Sequence, residues 1–177
     1  MKARLLIEPL RADHLSELAA CLRHPQVYEH IGGLPSREDF VRDRERALRG
    51  PGPTAPNEHW LNFLVRDGAT HEMLGRLEAT LHDSIAEVAF LLGPKHWGKG
   101  HANEALAWLH REIQNTHAVG SFWATTLPAN TRCQALLLRS GYRQVQAEAP
   151  LLYSYDPGDL MFHLTASPQG SVQPSPV

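Results

Sequence analysis

Gly98 and Gly100 stand in "WGKGHANEAL", between an apolar run that ends at Leu92 and a helix-like apolar stripe that begins at Ala102. Without side chains they leave the backbone open to a close-approaching group. The first N–H groups of the following helix lack internal partners and carry the positive end of its dipole, a natural seat for an anion. Lys99 adds a flanking positive charge. The chemistry this stretch suits is capture of a phosphorylated ligand, although a plain strand–turn–helix connection also uses such glycines.

Two nucleotide motifs lie close to this stretch, and both fail. Gly93 to Lys99 reads G-x-x-x-x-G-K, but the hydroxyl that a Walker A loop places next, for magnesium, is replaced by Gly100. A dinucleotide fingerprint needs glycine where Asn103 stands, and the next apolar strand, "SFWATT", ends in no acidic residue. A pyrophosphate held by backbone amides and a helix end needs neither metal nor ribose ligand.

Elsewhere, Glu87 is the odd polar group in an apolar row, sharing one strand face with Ile85, Ala89 and Leu91. Such a carboxylate is suited to taking a proton. Glu78 and His82 are weaker candidates, since their positions suit simple exposure. Cys133 is either a weak S–H donor or a small apolar residue. The histidines show no H-E-x-x-H, and His110 and His117 have no acidic companion at metal spacing, so they are expected on the surface and no metal is expected. "RDRER" at 42–46 mixes signs and reads as a solvated helix face.

The 177 residues suit one domain able to bury a core. A net charge of −2 calls for neither nucleic acid nor anionic lipid. Cys21 and Cys133 are far apart and unpaired in pattern, which fits a reducing, cytoplasmic compartment. No apolar run approaches the roughly 18 residues of a membrane span, and the N-terminal residues read as neither a signal peptide nor an anchor. "ASPQGSVQPSPV", 166–177, reads as a disordered tail behind a domain spanning 1–165.

The elements that must position these residues follow from periodicity. A strand at 4–8 leads to a helix over 14–23 capped by Asp13, and a short irregular helix at 27–31 precedes the Gly32-Gly33 break. "SRED" starts a charged helix that runs to about Arg49 and closes at Gly50. Strands at 59–66, 72–81 and 85–92 form an antiparallel meander turned at Asp67-Gly68 and His82–Ser84. A helix with Ala102, Ala105, Leu106, Leu109 and Ile113 on one stripe follows, then a strand at 121–126 and a helix from Asn130 to Ser140. A hairpin of "YRQVQAE" and "DLMFHLT" completes an α+β layer structure with a mixed sheet.

"WGKGHANEAL" resembles the acetyl-CoA pyrophosphate loop of the GNAT family of N-acetyltransferases, in particular its ribosomal-protein (RimJ/RimL-like) branch. The family pattern Q/R-x-x-G-x-G/A falls on Trp97, Gly98, Lys99, Gly100, His101 and Ala102, with Trp97 in the leading position as in that branch. "NTRCQALLLRSGY" and "RLLIEPLRADHLSEL" resemble further family elements, so the likeness spans about residues 4–165.

The resemblance implies a mixed, mostly antiparallel sheet of about seven strands flanked by helices and splayed in the middle for acetyl-CoA. It implies that Phe90, Leu91 and Leu92 pair with the pantetheine arm, that Trp97 to Asn103 take the pyrophosphate, and that Asn130 lines the thioester end. It implies direct attack of a primary amine, of a protein N-terminus or a small molecule, on the thioester, with Glu87 as first candidate for the base. The family's usual acid positions hold Leu137 and Cys133, which makes Cys133 the candidate donor to the leaving thiolate. Tyr28, Glu29 and Tyr153, from the segments 24–34 and 148–159, are expected to line the amine pocket and to suit a cationic substrate. The alternative is a non-catalytic acyl-CoA-binding or regulatory module on the same fold; homodimerisation is left open.

Overall fold

The computed structural model describes residues 4–146 and 149–166. The expected tail therefore lies, but for residue 166, outside the described residues, as do residues 147 and 148 of the expected hairpin.

Seven strands form one sheet in the order β1-β2-β3-β4-β5-β7-β6. The strands are β1 (Leu5–Pro9), β2 (His59–Asp67), β3 (Met73–His82), β4 (Ile85–Leu92), β5 (Ser121–Thr126), β6 (Arg143–Val145) and β7 (Leu160–Thr165). Four helices flank it: α1 (Leu15–Leu22), α2 (Arg37–Arg49), α3 (His101–His117) and α4 (Thr131–Arg139). Every neighbouring pair is antiparallel except β4 and β5. This is the expected architecture.

Period-2 alternation divides the sheet's two faces. Leu77, Ala79 and Leu81 of β3 and Ala86, Val88 and Leu92 of β4 enter a core with Ala105, Leu106, Leu109 and Ile113 of α3. The last three of these are fully buried, which stabilises the layer by about 1.5–3 kcal/mol per large side chain. A second core on the other face gathers Leu15, Leu18 and Leu22 of α1, Phe40 of α2, and Leu64 and Met73 of the sheet.

The local signals mostly act as expected. Ser36 caps α2 by accepting the Asp39 N–H at 3.0 Å, and Asn130 caps α4 by accepting the Cys133 N–H at 3.2 Å. Asp83 and Ser84 both take positive φ in the two-residue turn between β3 and β4. Two expectations are corrected. Asp13 is not a helix cap but sits inside a 3-10 turn, Ala12–His14, that leads into α1. Residues 27–31 form successive turns rather than a helix, because Pro25 and the Gly32-Gly33 pair leave too little chain to propagate one.

Candidate active site

The site begins where two strands part. β4 and β5 pair through Ala86↔Phe122 and Glu87↔Trp123 among the described residues, and beyond these pairs the strands diverge. Val88 to Leu91 and Ala124 to Thr126 then line one side of the gap, a cleft of about 560 Å³. Phe90, Leu91 and Leu92 also line a second cleft, of about 460 Å³, that runs to the glycine loop. Phe90, Leu91, Asn130 and Cys133 border both, so the two clefts meet at the gap.

The glycine loop has the open backbone and helix N-terminus that an anion could use. Gly98 and Gly100 have φ of +71° and +80°, a region L side chains rarely enter, and Gly100 is the N-cap of the 17-residue α3. Trp97 donates its indole N–H to the Leu92 carbonyl at 2.8 Å and so ties the loop to the end of β4. Gly98, Gly100, His101, Ala102 and Asn103 line the second cleft with Trp97. Lys99 is exposed and outside that lining, its carbonyl accepting from Arg4. Asn103 accepts the Ser140 hydroxyl at 2.9 Å.

Two arginines that sequence reasoning passed over line the same cleft. Arg132 lies over the Trp97 ring at 4.0 Å, and Arg139 lines the same cleft. They are two helical turns apart on α4, a spacing that places them on one face. Two buried ring nitrogens of this cleft, Nε2 of His96 and Nδ1 of His101, have no hydrogen-bond partner among the described residues. Burial lowers the pKa of both rings, so they stand neutral. Positive charge, open backbone and unpaired polar atoms together fit a pyrophosphate-bearing ligand.

Glu87 is buried, its side chain 4% exposed. Oε1 accepts the Tyr153 N–H at 2.7 Å and lies 2.6 Å from Nε2 of His82. Oε2 accepts the Ser154 N–H at 2.9 Å and the Ser154 hydroxyl. All the lone-pair positions of the carboxylate are thus engaged, and a proton reaches it only if one donor gives way. Glu87 lines neither of the two larger clefts but a third, of about 320 Å³, with Tyr153 and Ser154; Val88 and Ala89 join this cleft to the first. Cys133 is half-buried at the junction, and burial raises its thiol pKa while the Thr126 hydroxyl partly opposes, so the S–H is kept at neutral pH.

Of the expected amine-pocket residues, Tyr28 lines the first cleft and Tyr153 the third, where its ring stacks on His82 at 4.0 Å between centroids. Glu29 lies outside all three, exposed beside His30.

The structure corrects several readings of charge. Arg44, inside the supposedly solvated "RDRER", turns inward to pair with Glu78, which also pairs with Arg76. His82 and Glu78 are not simply exposed, and His14, His82, His96, His101 and His110 are buried rather than scattered over the surface. Such placements come from tertiary packing, which local polarity does not report.

Among the described residues no helix is long and apolar enough to cross a membrane, and no cluster of three metal-ligating side chains occurs. The fold is similar to that of an acetyltransferase of the GNAT family from Bacillus anthracis, at 17% identity and a TM-score of 0.73 over 93% of this chain and 96% of that one. It is also similar to a Salmonella typhimurium acetyl transferase that modifies the N-terminal serine of ribosomal protein L7/L12, at 14% identity and 0.74, over 93% and 96%. A chimera of a Vibrio cholerae spermidine N-acetyltransferase matches at 15% and 0.69, over 92% and 96%. The family model for the acetyltransferase (GNAT) domain matches residues 4–143. With the divided sheet and the loop at the head of α3, this match makes the chain a member of the GNAT acetyltransferase family and an acyltransferase.

Proposed function

We propose that this chain moves the acetyl group of acetyl-CoA to a primary amine by direct attack. The observation that carries the reading is the meeting of two clefts at the β4–β5 gap, bordered from both sides by Phe90, Leu91, Asn130 and Cys133. One cleft leads to the glycine loop, and the other runs to Tyr28 and α2.

Acetyl-CoA, when bound, supplies the acetyl group as a thioester. Phe90, Leu91 and Leu92 offer it a strand edge that β5 does not use, a case of β-augmentation. Trp97, Gly98, Gly100, His101, Ala102 and Asn103 hold the pyrophosphate end, with charge-assisted bonds worth roughly 1.5–3 kcal/mol each, and Lys99 adds its charge from outside the lining. Asn130 holds the start of α4 at the thioester end.

In the transfer a nitrogen–carbon bond forms, the carbon–sulfur bond breaks, the amine gives up a proton and the thiolate gains one. Glu87 is the proposed acceptor of the amine's proton, through water of the third cleft and at the expense of one of its donors. Cys133 is the proposed donor to the thiolate. Tyr28 and Tyr153 flank the acceptor path. Trp97 in the leading loop position supports placing the chain near the RimJ/RimL-like branch.

CoA release with a panel of amines, on wild type and Glu87→Gln, tests this reading. Product formation supports it, and tight CoA binding without turnover on any amine contradicts it. Loss of the acidic limb of the pH–rate profile in Glu87→Gln supports the base; an unchanged limb with a raised KM makes Glu87 an anchor for residues 153 and 154 only.

A further inference from the structure

Two largely buried guanidiniums of the first cleft share one largely buried carboxylate. Arg76 and Glu78 are two apart on β3 and so share a face, and Arg44 of α2 reaches the same carboxylate from above. The side chains of Arg76, Arg44 and Glu78 are only 11%, 19% and 23% exposed. One carboxylate cannot neutralise two guanidiniums, and Asp43, the acid that lines the cleft, stands exposed on α2. Nε of Arg76 is buried without a hydrogen-bond partner among the described residues. A buried, under-satisfied guanidinium is unfavourable until an anion meets it.

The environment of these groups agrees. Burial, and then the nearby Arg44 charge, pull Arg76 down to about 9, and burial also lowers Arg44. Burial raises the Tyr28 phenol, so its hydroxyl remains a neutral hydrogen-bond donor beside them. Glu29, the acid expected to attract a cationic amine, is outside the cleft. A polyamine would bring further positive charge to two guanidiniums; an amine that also bears a carboxylate would complete the site.

We infer that the acetyl acceptor is a small amine carrying a carboxylate, of the amino-acid type, and that Arg76 and Arg44 receive the carboxylate in the first cleft. The inference rests on the transferase reading above, because it names the acceptor of the same site.

Calorimetric titration of the CoA-saturated full-length chain with a panel of N-acetyl-L-amino acids and their matching carboxamides provides the test. These are the products such a reaction would release. At least one acid should bind about tenfold or more tightly than its amide, the least that one charge-assisted bond is worth. Arg76→Gln and Arg44→Gln should each abolish that preference, and Arg76→Lys should restore part of it. The acid–amide comparison in wild type stands even if a variant fails to fold. Equal affinities, no binding by any acid, or a preference that survives both glutamine variants would overturn the inference. Acids that bind with the arginine-dependent preference while no amine is acetylated would remove the transferase reading, and with it the acceptor, and leave only a carboxylate site at Arg76 and Arg44; acetylation of peptides or polyamines with no preference for acids would keep the transferase reading and overturn the inference.

Discussion

Nε2 of His82 lies 2.6 Å from Oε1 of Glu87, while the other ring nitrogen, Nδ1, lies 3.0 Å from Oδ2 of Asp83. With a carboxylate on each nitrogen, the cationic ring satisfies both. Burial works against that charge, yet the bonds to Asp83 and Glu87 outweigh it and raise the pKa of His82. A histidine whose folded pKa is raised contributes stability that is fully present below its unfolded pKa, about 6.5, and is lost as pH rises through the folded value. Thermal unfolding followed from pH 6 to pH 9 should show this loss, and His82→Gln should flatten it. An identical profile in the variant would mean that the pair contributes nothing.

His110 behaves in the opposite sense. Its Nε2 lies 2.7 Å from the Tyr142 hydroxyl in the core under the sheet, and burial, with Arg111 nearby, lowers its pKa to about 4. The native state therefore binds fewer protons than the unfolded chain between about 6.5 and 4. Stability is full above the unfolded value and falls progressively as pH drops toward 4, by roughly 3 kcal/mol at most. Denaturant unfolding of wild type and His110→Gln at pH 7 and pH 4.5 checks this: the acid loss should shrink in the variant.

Gly98 separates folding from ligand capture. A Cβ there would meet nothing within 4 Å, so Gly98→Ala should cost only the left-handed backbone strain, about 1–2 kcal/mol. If the glycine loop takes the pyrophosphate, the same change should weaken acetyl-CoA binding about tenfold through one lost or lengthened charge-assisted bond. Calorimetry with acetyl-CoA, alongside the thermal midpoint, distinguishes the two effects.

Cys133 sits at the junction of the clefts with its thiol kept protonated by burial. If it protonates the leaving thiolate, Cys133→Ala should lower kcat by roughly 10- to 100-fold with little change in KM, at or below the low end of general acid catalysis. Cys133→Ser, which keeps a donor, should recover part of it. An alanine variant with unchanged kcat would leave the cysteine a packing residue.

The meander, β5 and α4 were legible because each rests on local pattern: alternation in 59–92, a short β-branched and aromatic run, and Asn130 as a cap. The glycine loop at the head of α3 was legible for the same reason, since glycines and a helix start lie within a few residues. The clefts around Arg44, Glu78 and Glu87 were not. Arg44 and Glu78 are 34 residues apart, and Glu87 and Ser154 are 67 apart, so their pairing is set by how α2 and the loop before β7 pack on the sheet. A charged helix face and a polar strand position look the same in sequence whether water or a buried partner awaits them.

The central claim is transfer of acetyl from CoA to an amine, and it is tested most directly by one assay. Purified protein is incubated with acetyl-CoA and a panel of amino acids, polyamines and N-terminal peptides, with free CoA and the acetylated amine quantified together. The account predicts CoA release matched by N-acetylated product, with amino-acid acceptors preferred. Tight CoA binding with no product on any amine, or binding of Mg-ATP in place of CoA, would contradict it.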